Sequence, residues 1–233
     1  MKFVLKKHIF FDLDRTLWDF ETNSHETLLE IYNKYNLREL GIESCIEFIE
    51  EYKKINERLW EMYRIDKISQ KDLRRERFQK TLELYNISNI DLSEKIGEDY
   101  IEICPRKTKL FPETIEILNY LKSKFYLHII TNGFHKTQHI KLEFSNLTPY
   151  FQQVITSEQV GVKKPHPKIF EFALSQANAN SEDSVYIGDD LEIDILGCQN
   201  CGIDGIYFNP KKIEHQENPK YEISCLSELK KLF

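Results

Sequence analysis

An α/β fold is predicted, built on a parallel sheet that an all-helical insertion interrupts, and three features of the chain predict it. From Lys109 onward short apolar runs alternate with amphipathic segments in a βαβα rhythm, which implies parallel strands covered by helices on both faces through right-handed crossovers. Between Asp19 and about Cys104 the pattern is helical throughout, with almost no glycine and no proline before Pro105. Ahead of that block stands a separate apolar run, Ile9–Phe11. The helical block is therefore read as an insertion between the first strand and the rest of the sheet.

Ile9–Phe11 reads as a buried strand because it is a short continuous apolar run that stops at an acidic loop. Within the block, Leu28, Leu29 and Tyr32 mark a helix after Ser24, and Ile46, Ile49, Tyr52, Ile55, Leu59 and Tyr63 a longer one after Ser44. Leu73, Phe78, Leu82 and Tyr85 suit a third, whose cluster Arg74, Arg75, Arg77 and Lys80 reads as a solvated face. Leu92, Ile96 and Tyr100 suit a fourth, opened by Ser88 or Asp91. Pro112 then opens a helix to about Lys124, followed by a strand at 126–130, a helix at 136–144, a strand at 154–156 and a helix at 167–177. A strand at 185–187, a helix at 193–200, and strands at 205–208 and near 222–224 complete the pattern, with Ser227 capping a last helix.

The 233 residues are 30% charged, 41% hydrophobic and 12% aromatic, the composition of a folded chain able to bury a core. A net charge of −6 argues against a dedicated partner for nucleic-acid polymers or anionic membranes. No stretch approaches the ~18 apolar residues of a membrane span, and the first residues carry no signal-like segment, so a cytoplasmic protein is expected. Five cysteines fit reduced thiols, and Cys198 and Cys201, a CxxC in spelling, read as packing groups.

Four strand ends carry the chemistry. Asp12 and Asp14 follow the first strand, where ligands bind in open α/β sheets, and two such acids can share a hard cation while one attacks an electrophile. Thr131, Asn132 and Gly133 end the next strand in a hydroxyl and a turn whose N–H groups can meet a phosphate oxygen. Lys164, chosen over Lys163, stands before a proline-opened helix and can neutralise a phosphoryl group together with the carboxylate attacking it. Gly188, Asp189 and Asp190 end a further strand, with Asp194 a helical turn on. Asp12, Asp14 and Asp189 would supply a partial oxygen shell for Mg²⁺, and Mn²⁺ would also fit.

In this order the motifs resemble the haloacid dehalogenase superfamily, most of whose members are phosphohydrolases. Asp12-Leu13-Asp14-Arg15-Thr16 matches its DxDxT motif, with Arg15 where glycine is common; Thr131, Lys164 and Gly188-Asp189 with Asp190 and Asp194 match the other three. The resemblance implies a Rossmann-like core, 1–18 with 105–233, under a helical C1-type cap, 19–104. Asp12 would form an aspartyl-phosphate, and Asp14 would protonate the leaving alcohol and then activate water. Thr131, the Asn132 backbone and Lys164 would hold the phosphoryl group. Mg²⁺ would sit on Asp12, the Asp14 carbonyl and Asp189, with Asp190 or Asp194 holding metal waters or Lys164.

The acid at position 14 favours a phosphatase over a dehalogenase, which has no alcohol to protonate. A looser likeness of residues 14–20, of 130–133 and of the GVKKPHPKIF segment to the branch containing pyrimidine 5′-nucleotidases points to nucleoside 5′-monophosphates. Trp18 or Phe20 would then stack on the base or pack the cap hinge. Sugar phosphates or phosphoglycolate, transfer to a sugar hydroxyl, and a non-catalytic phospho-acceptor or binding protein are the alternatives.

Overall fold

The computed structural model describes residues 6–217 and 219–233. The chain forms two compact units: one runs to Phe20 and resumes from Thr108 to Phe233, and the other is Glu21–Lys107.

β1 (His8–Phe11) is buried along its whole length. The helical unit follows, and α1 (Phe20–Lys34) begins ahead of Ser24, the residue expected to open it. Ser24 is instead buried inside the helix, its hydroxyl 2.8 Å from Tyr100 OH. α2 (Cys45–Arg64) is capped by Ser44, whose side chain accepts from Glu47 N–H at 3.2 Å; Ile46, in its first turn, is exposed and stands outside the buried stripe of Ile49, Tyr52, Leu59 and Tyr63. α3 (Gln70–Glu83) is capped by Ser69. α4 (Ile90–Ile103) is capped by Asn89, not by Ser88 or Asp91, because Asn89 Oδ1 is the oxygen that reaches Leu92 N–H, at 3.0 Å. Tyr52 of α2 stacks on Phe78 of α3 with ring centroids 4.7 Å apart. Arg77 departs from the solvated face expected of its cluster: it is buried, with its guanidinium 4.5 Å from the Tyr100 ring centroid. A planar, weakly hydrated cation can occupy such an aromatic site where an ammonium would lose more solvation.

α5 (Thr114–Lys122) starts after Pro112 and not on it. Glu113 takes a left-handed φ of 65° and its carboxylate accepts from Ser227 N–H at 3.1 Å, which leaves the proline in the preceding turn. β2 (Tyr126–Thr131), α6 (His135–Phe144) and β3 (Gln153–Thr156) follow, then a single unforeseen turn, α7 (Ser157–Val160). α8 (Pro167–Ala177) has proline in its first turn, where the missing N–H goes unneeded. After β4 (Ser184–Gly188) the helix expected at 193–200 is a π-helical turn, Leu191–Leu196, continued by α9 (Gly197–Gln199). It starts early because Asp190 caps it, Oδ1 accepting from Glu192 and Ile193 N–H at 3.1 and 2.9 Å. β5 (Asp204–Phe208) and β6 (Tyr221–Ile223) complete the sheet. α10 (Leu229–Leu232) is approached through a turn closed by Glu228, not Ser227, whose Oε1 accepts from Ser224 and Cys225 N–H.

All neighbouring strands are parallel, in the order β3-β2-β1-β4-β5-β6. β1 is central, with Phe11 level with Ile129 on β2 and Ile187 on β4. Strand order reverses between β1 and β4, and in such sheets the reversal leaves a crevice at the carboxyl ends. Beneath it Phe10, Ile130, Ile155, Phe170, Tyr186 and Cys198 share one core cluster. Cys198 thus packs in the core while Cys201 is half-buried, and all five cysteines are free thiols. Among the described residues no helix is long and apolar enough to cross a membrane.

Candidate active site

Asp12 follows β1 directly, and its N–H donates to Ile187 O at 2.9 Å, extending the pairing with β4. Continuing that register sets Gly188 level with Asp12 on one flank and Ile130 on the other, with Asp189 and Thr131 one residue further along. The π-helical turn then brings Asp194 back beneath Gly188. A Cβ at 188 would overlap the Asp194 carboxylate, so glycine is what permits this approach. Carboxylate oxygens of Asp12, Asp189 and Asp194 all lie within 4.8 Å of one another. Thr16, fully buried, donates to Asp189 Oδ1 at 3.1 Å.

Lys164 joins two of these acids. Its Nζ donates to Asp12 Oδ1 at 2.7 Å and to Asp194 Oδ1 at 2.6 Å, and lies 2.8 Å from Tyr186 OH. The lysine is 2% exposed, so its charge is sustained by these partners and not by solvent. Its backbone is fixed by Asn132, whose Oδ1 accepts from Lys164 N–H at 2.7 Å and whose Nδ2 donates to Lys164 O at 3.0 Å. Of the two acids expected to hold Lys164 or metal waters, Asp194 is the one that pairs with Lys164. The Asp190 carboxylate caps the π-helical turn, and its N–H donates to Asp194 Oδ2 at 3.2 Å.

Burial pushes the Asp12 carboxyl up to about 7, with Lys164 pulling the other way and Asp194 adding to the rise. Burial likewise holds Asp189 well above the carboxylate range, reinforced by Asp12 and Asp194 and opposed by Arg15. Asp194 is also raised by burial, although Lys164 holds it down. For Lys164 burial disfavours the charge, but Asp12 and Asp194 outweigh it and lift the ammonium above the usual lysine range. Three crowded carboxylates thus share one buried cation, an excess of negative charge that a hard dication with oxygen ligands would balance.

Asp14 is held by α6 and not by Lys164. Its Oδ1 and Oδ2 accept from Lys141 Nζ at 2.6 and 2.8 Å, and Oδ2 also accepts from Gln138 Nε2 at 2.8 Å. Thr131 Oγ1 accepts from Gly133 N–H at 3.0 Å and Gln138 Nε2 at 2.8 Å, so its own hydrogen can still be donated. Between Asp12 and Trp18 the chain folds tightly, with Leu17 and Trp18 N–H both donating to Leu13 O. Arg15 takes φ 66° there, the left-handed conformation that suits glycine at this position. Trp18 has no exposed area and lies under Lys141 Nζ, 4.4 Å from its ring centroid, so it packs and offers no free face for stacking. Phe20 is half-buried, with the Arg15 guanidinium 5.0 Å from its ring centroid.

Asp12, Thr131, Asn132, Lys164, Asp189 and Asp194 are therefore brought together at the carboxyl ends of β1, β2 and β4, while Asp14 stands on a second ion pair. Lys141, Gln138 and Tyr186 are the residues that sequence reasoning missed. A signal for the first two exists: a helix covering a parallel sheet usually carries a broad apolar stripe, and HKTQHIKLEF has none, burying Gln138 and Lys141 beside Leu142. Tyr186 could be suspected because a phenol inside a buried strand needs a polar partner, found here in Lys164.

The model of the haloacid dehalogenase-like hydrolase family matches residues 9–208. Over 227 residues the chain is 34% identical to the pyrimidine 5′-nucleotidase YjjG of Escherichia coli strain K12, covering 96% of both. Over 231 residues it is 31% identical to the pyrimidine 5′-nucleotidase PynA of Streptococcus pneumoniae, covering 96% of this chain and 93% of the other. The magnesium-bound crystal structure of Bacillus subtilis YfnB superposes with a TM-score of 0.87 at 27% identity, covering 97% of this chain and 98% of that one. A family match reaching from β1 to the end of β5, joined by relatives above 30% identity along nearly the whole chain, settles the lineage: this chain belongs to the haloacid dehalogenase-like hydrolase family.

Proposed function

We propose that this protein is a Mg²⁺-dependent phosphatase that hydrolyses small phosphate monoesters, nucleoside 5′-monophosphates foremost, through an aspartyl-phosphate on Asp12. The observation that carries the reading is the Lys164 bridge: one buried ammonium binds Asp12 at 2.7 Å and Asp194 at 2.6 Å, at the strand-order reversal, with a second acid, Asp14, held separately. Such an ammonium lets an anionic nucleophile meet an anionic phosphoryl group.

In the first step Asp12 bonds to phosphorus as the ester P–O bond breaks, and Asp14 gives its proton to the departing oxygen. In the second, water attacks phosphorus and gives a proton to Asp14 as the Asp12–phosphorus bond breaks. Thr131 Oγ, the Asn132 backbone N–H and Lys164 hold the phosphoryl oxygens; the Asn132 side chain is already committed to Lys164. The crowded carboxylates of Asp12, Asp189 and Asp194 fit a hard dication, and Asp12, Asp189 and the Asp14 carbonyl would hold Mg²⁺. When bound, that ion supplies positive charge at the phosphoryl group. The substrate class is supported by two full-length relatives named as pyrimidine 5′-nucleotidases.

The test is phosphate release from a panel of nucleoside 5′-monophosphates, sugar phosphates and phosphoglycolate, with and without Mg²⁺, by the natural chain and by Asp12→Asn. Mg²⁺-dependent release, strongest with pyrimidine nucleotides and lost in the variant, is the expected result. Release from sugar phosphates or phosphoglycolate alone rejects the nucleotidase reading, and undiminished release by Asp12→Asn rejects the mechanism.

A further inference from the structure

Asp14 is anchored by an ion pair separate from the Lys164 bridge. Lys141 Nζ donates to both of its oxygens, at 2.6 and 2.8 Å. Lys141 is 5% exposed and Gln138 fully buried, so α6 spends its buried face on polar groups where apolar ones would serve packing better. The ammonium is further confined by the Trp18 ring, 4.4 Å away, and the Phe20 ring, 5.8 Å away. Gln138 Nε2 has two hydrogens and two acceptors, Asp14 Oδ2 and Thr131 Oγ1, each at 2.8 Å. One amide therefore ties Asp14 to the hydroxyl at the end of β2. Space for that amide exists only because residue 133 is glycine, since a Cβ there would overlap Nε2.

Gln138 and Lys141, the donors to the Asp14 carboxyl group among the described residues, thus come from one face of α6, three residues apart. We propose that Lys141 is a positioning residue for Asp14, and that with Gln138 it holds the carboxyl group where it can exchange a proton with the leaving oxygen and then with water. This rests on Asp14 acting as acid and base, as proposed above. The proton given up while the ester bond breaks is regained from water while the Asp12–phosphorus bond breaks. Lys141 itself exchanges none and touches neither phosphorus nor substrate. Its loss should slow bond cleavage only where the leaving group needs a proton. A nucleoside alkoxide needs one; p-nitrophenolate departs as a stable anion.

Lys141→Met is tested in single turnovers with enzyme in excess and Mg²⁺ present, following leaving-group release from uridine 5′-monophosphate and from p-nitrophenyl phosphate. Nucleoside release is expected to slow about 10- to 100-fold, the usual effect of misplacing a reacting group, while p-nitrophenol release stays within about twofold. Phosphate release, which needs Asp14 as base, slows for both esters. Lys141→Arg, able to pair bidentately with the carboxylate, restores most of the nucleoside rate. Equal slowing of both leaving groups, or no slowing of either, overturns the inference. If the Met variant does not fold, Lys141→Gln is judged by the same split. Asp12→Asn, run alongside, separates the two claims: if it still releases either leaving group at the natural rate, the aspartyl-phosphate reading falls. If it is inert and the position-141 variants show no split, only the role of Lys141 falls.

Discussion

Asn132 grips the Lys164 peptide on both sides, its Oδ1 accepting from the N–H at 2.7 Å and its Nδ2 donating to the carbonyl at 3.0 Å. The cation that pairs with Asp12 is therefore placed by a residue at the end of the neighbouring strand. Asn132→Ala leaves two half-buried backbone groups without these partners and frees Lys164 to shift. Stability should drop by about 1–3 kcal/mol, and kcat/KM for the best substrate by about 10- to 100-fold. Thermal melts and steady-state kinetics check this; an Ala variant with natural kinetics would show that Lys164 is held in place by its own ion pairs.

Gly188→Ala tests the close approach of Asp194. The added methyl would overlap the Asp194 carboxylate, which cannot withdraw without leaving Lys164 or the Asp190 N–H. Overpacking of this kind costs about 1–3 kcal/mol, and the variant should also need more Mg²⁺ for half-maximal activity. A melt and a Mg²⁺ titration give both numbers.

A pH dependence of stability follows from β1 and β2. His128 is fully buried, its Nε2 3.1 Å from His8 Nδ1 and its Nδ1 without a hydrogen-bond partner among the described residues. Burial, with a smaller contribution from His8, lowers its pKa from 6.5 to about 4. Below pH 6.5 the unfolded chain takes up a proton that the folded chain refuses, so stability falls as pH drops from 6.5 towards 4. At about 1.4 kcal/mol per unit the full loss is on the order of 3 kcal/mol. His128→Phe should be less stable at pH 8, because His8 loses its partner, yet show a shallower fall between pH 6.5 and 4. Urea unfolding at several pH values compares the two slopes, and parallel curves would contradict the assignment.

Arg15→Gly should fold with stability within about 1 kcal/mol of the natural chain, because glycine relieves the left-handed strain while loosening the unfolded state. Circular dichroism melts measure it.

What the sequence disclosed follows the physics of each signal. Strand ends stand out because apolar runs stop abruptly there, which is why Asp12, Thr131 and Asp189 were legible as loop-edge residues, while Lys164 was legible from the proline-opened helix that follows it. Helix starts were less legible: Ser24 and Ser88 have capping side chains, but tertiary partners claimed the first and Asn89 held the better-placed oxygen for the second. The roles of Asp190 and Asp194 depend on a π-helical turn that no periodicity announces, and it directs Asp190 to capping and Asp194 to Lys164. Lys141 escaped notice because a lysine on a helix reads as solvent-facing until the acid opposite it is known.

The most direct test of the central claim is acid quenching of the protein during turnover of a pyrimidine nucleoside 5′-monophosphate with Mg²⁺, followed by mass spectrometry of the peptide containing residues 8–19. A phosphoryl group on Asp12, absent from Asp12→Asn and from enzyme quenched before substrate is added, is the predicted result. Turnover at full rate with Asp12 unmodified at every quench time, and with Asp12→Asn still active, would contradict it.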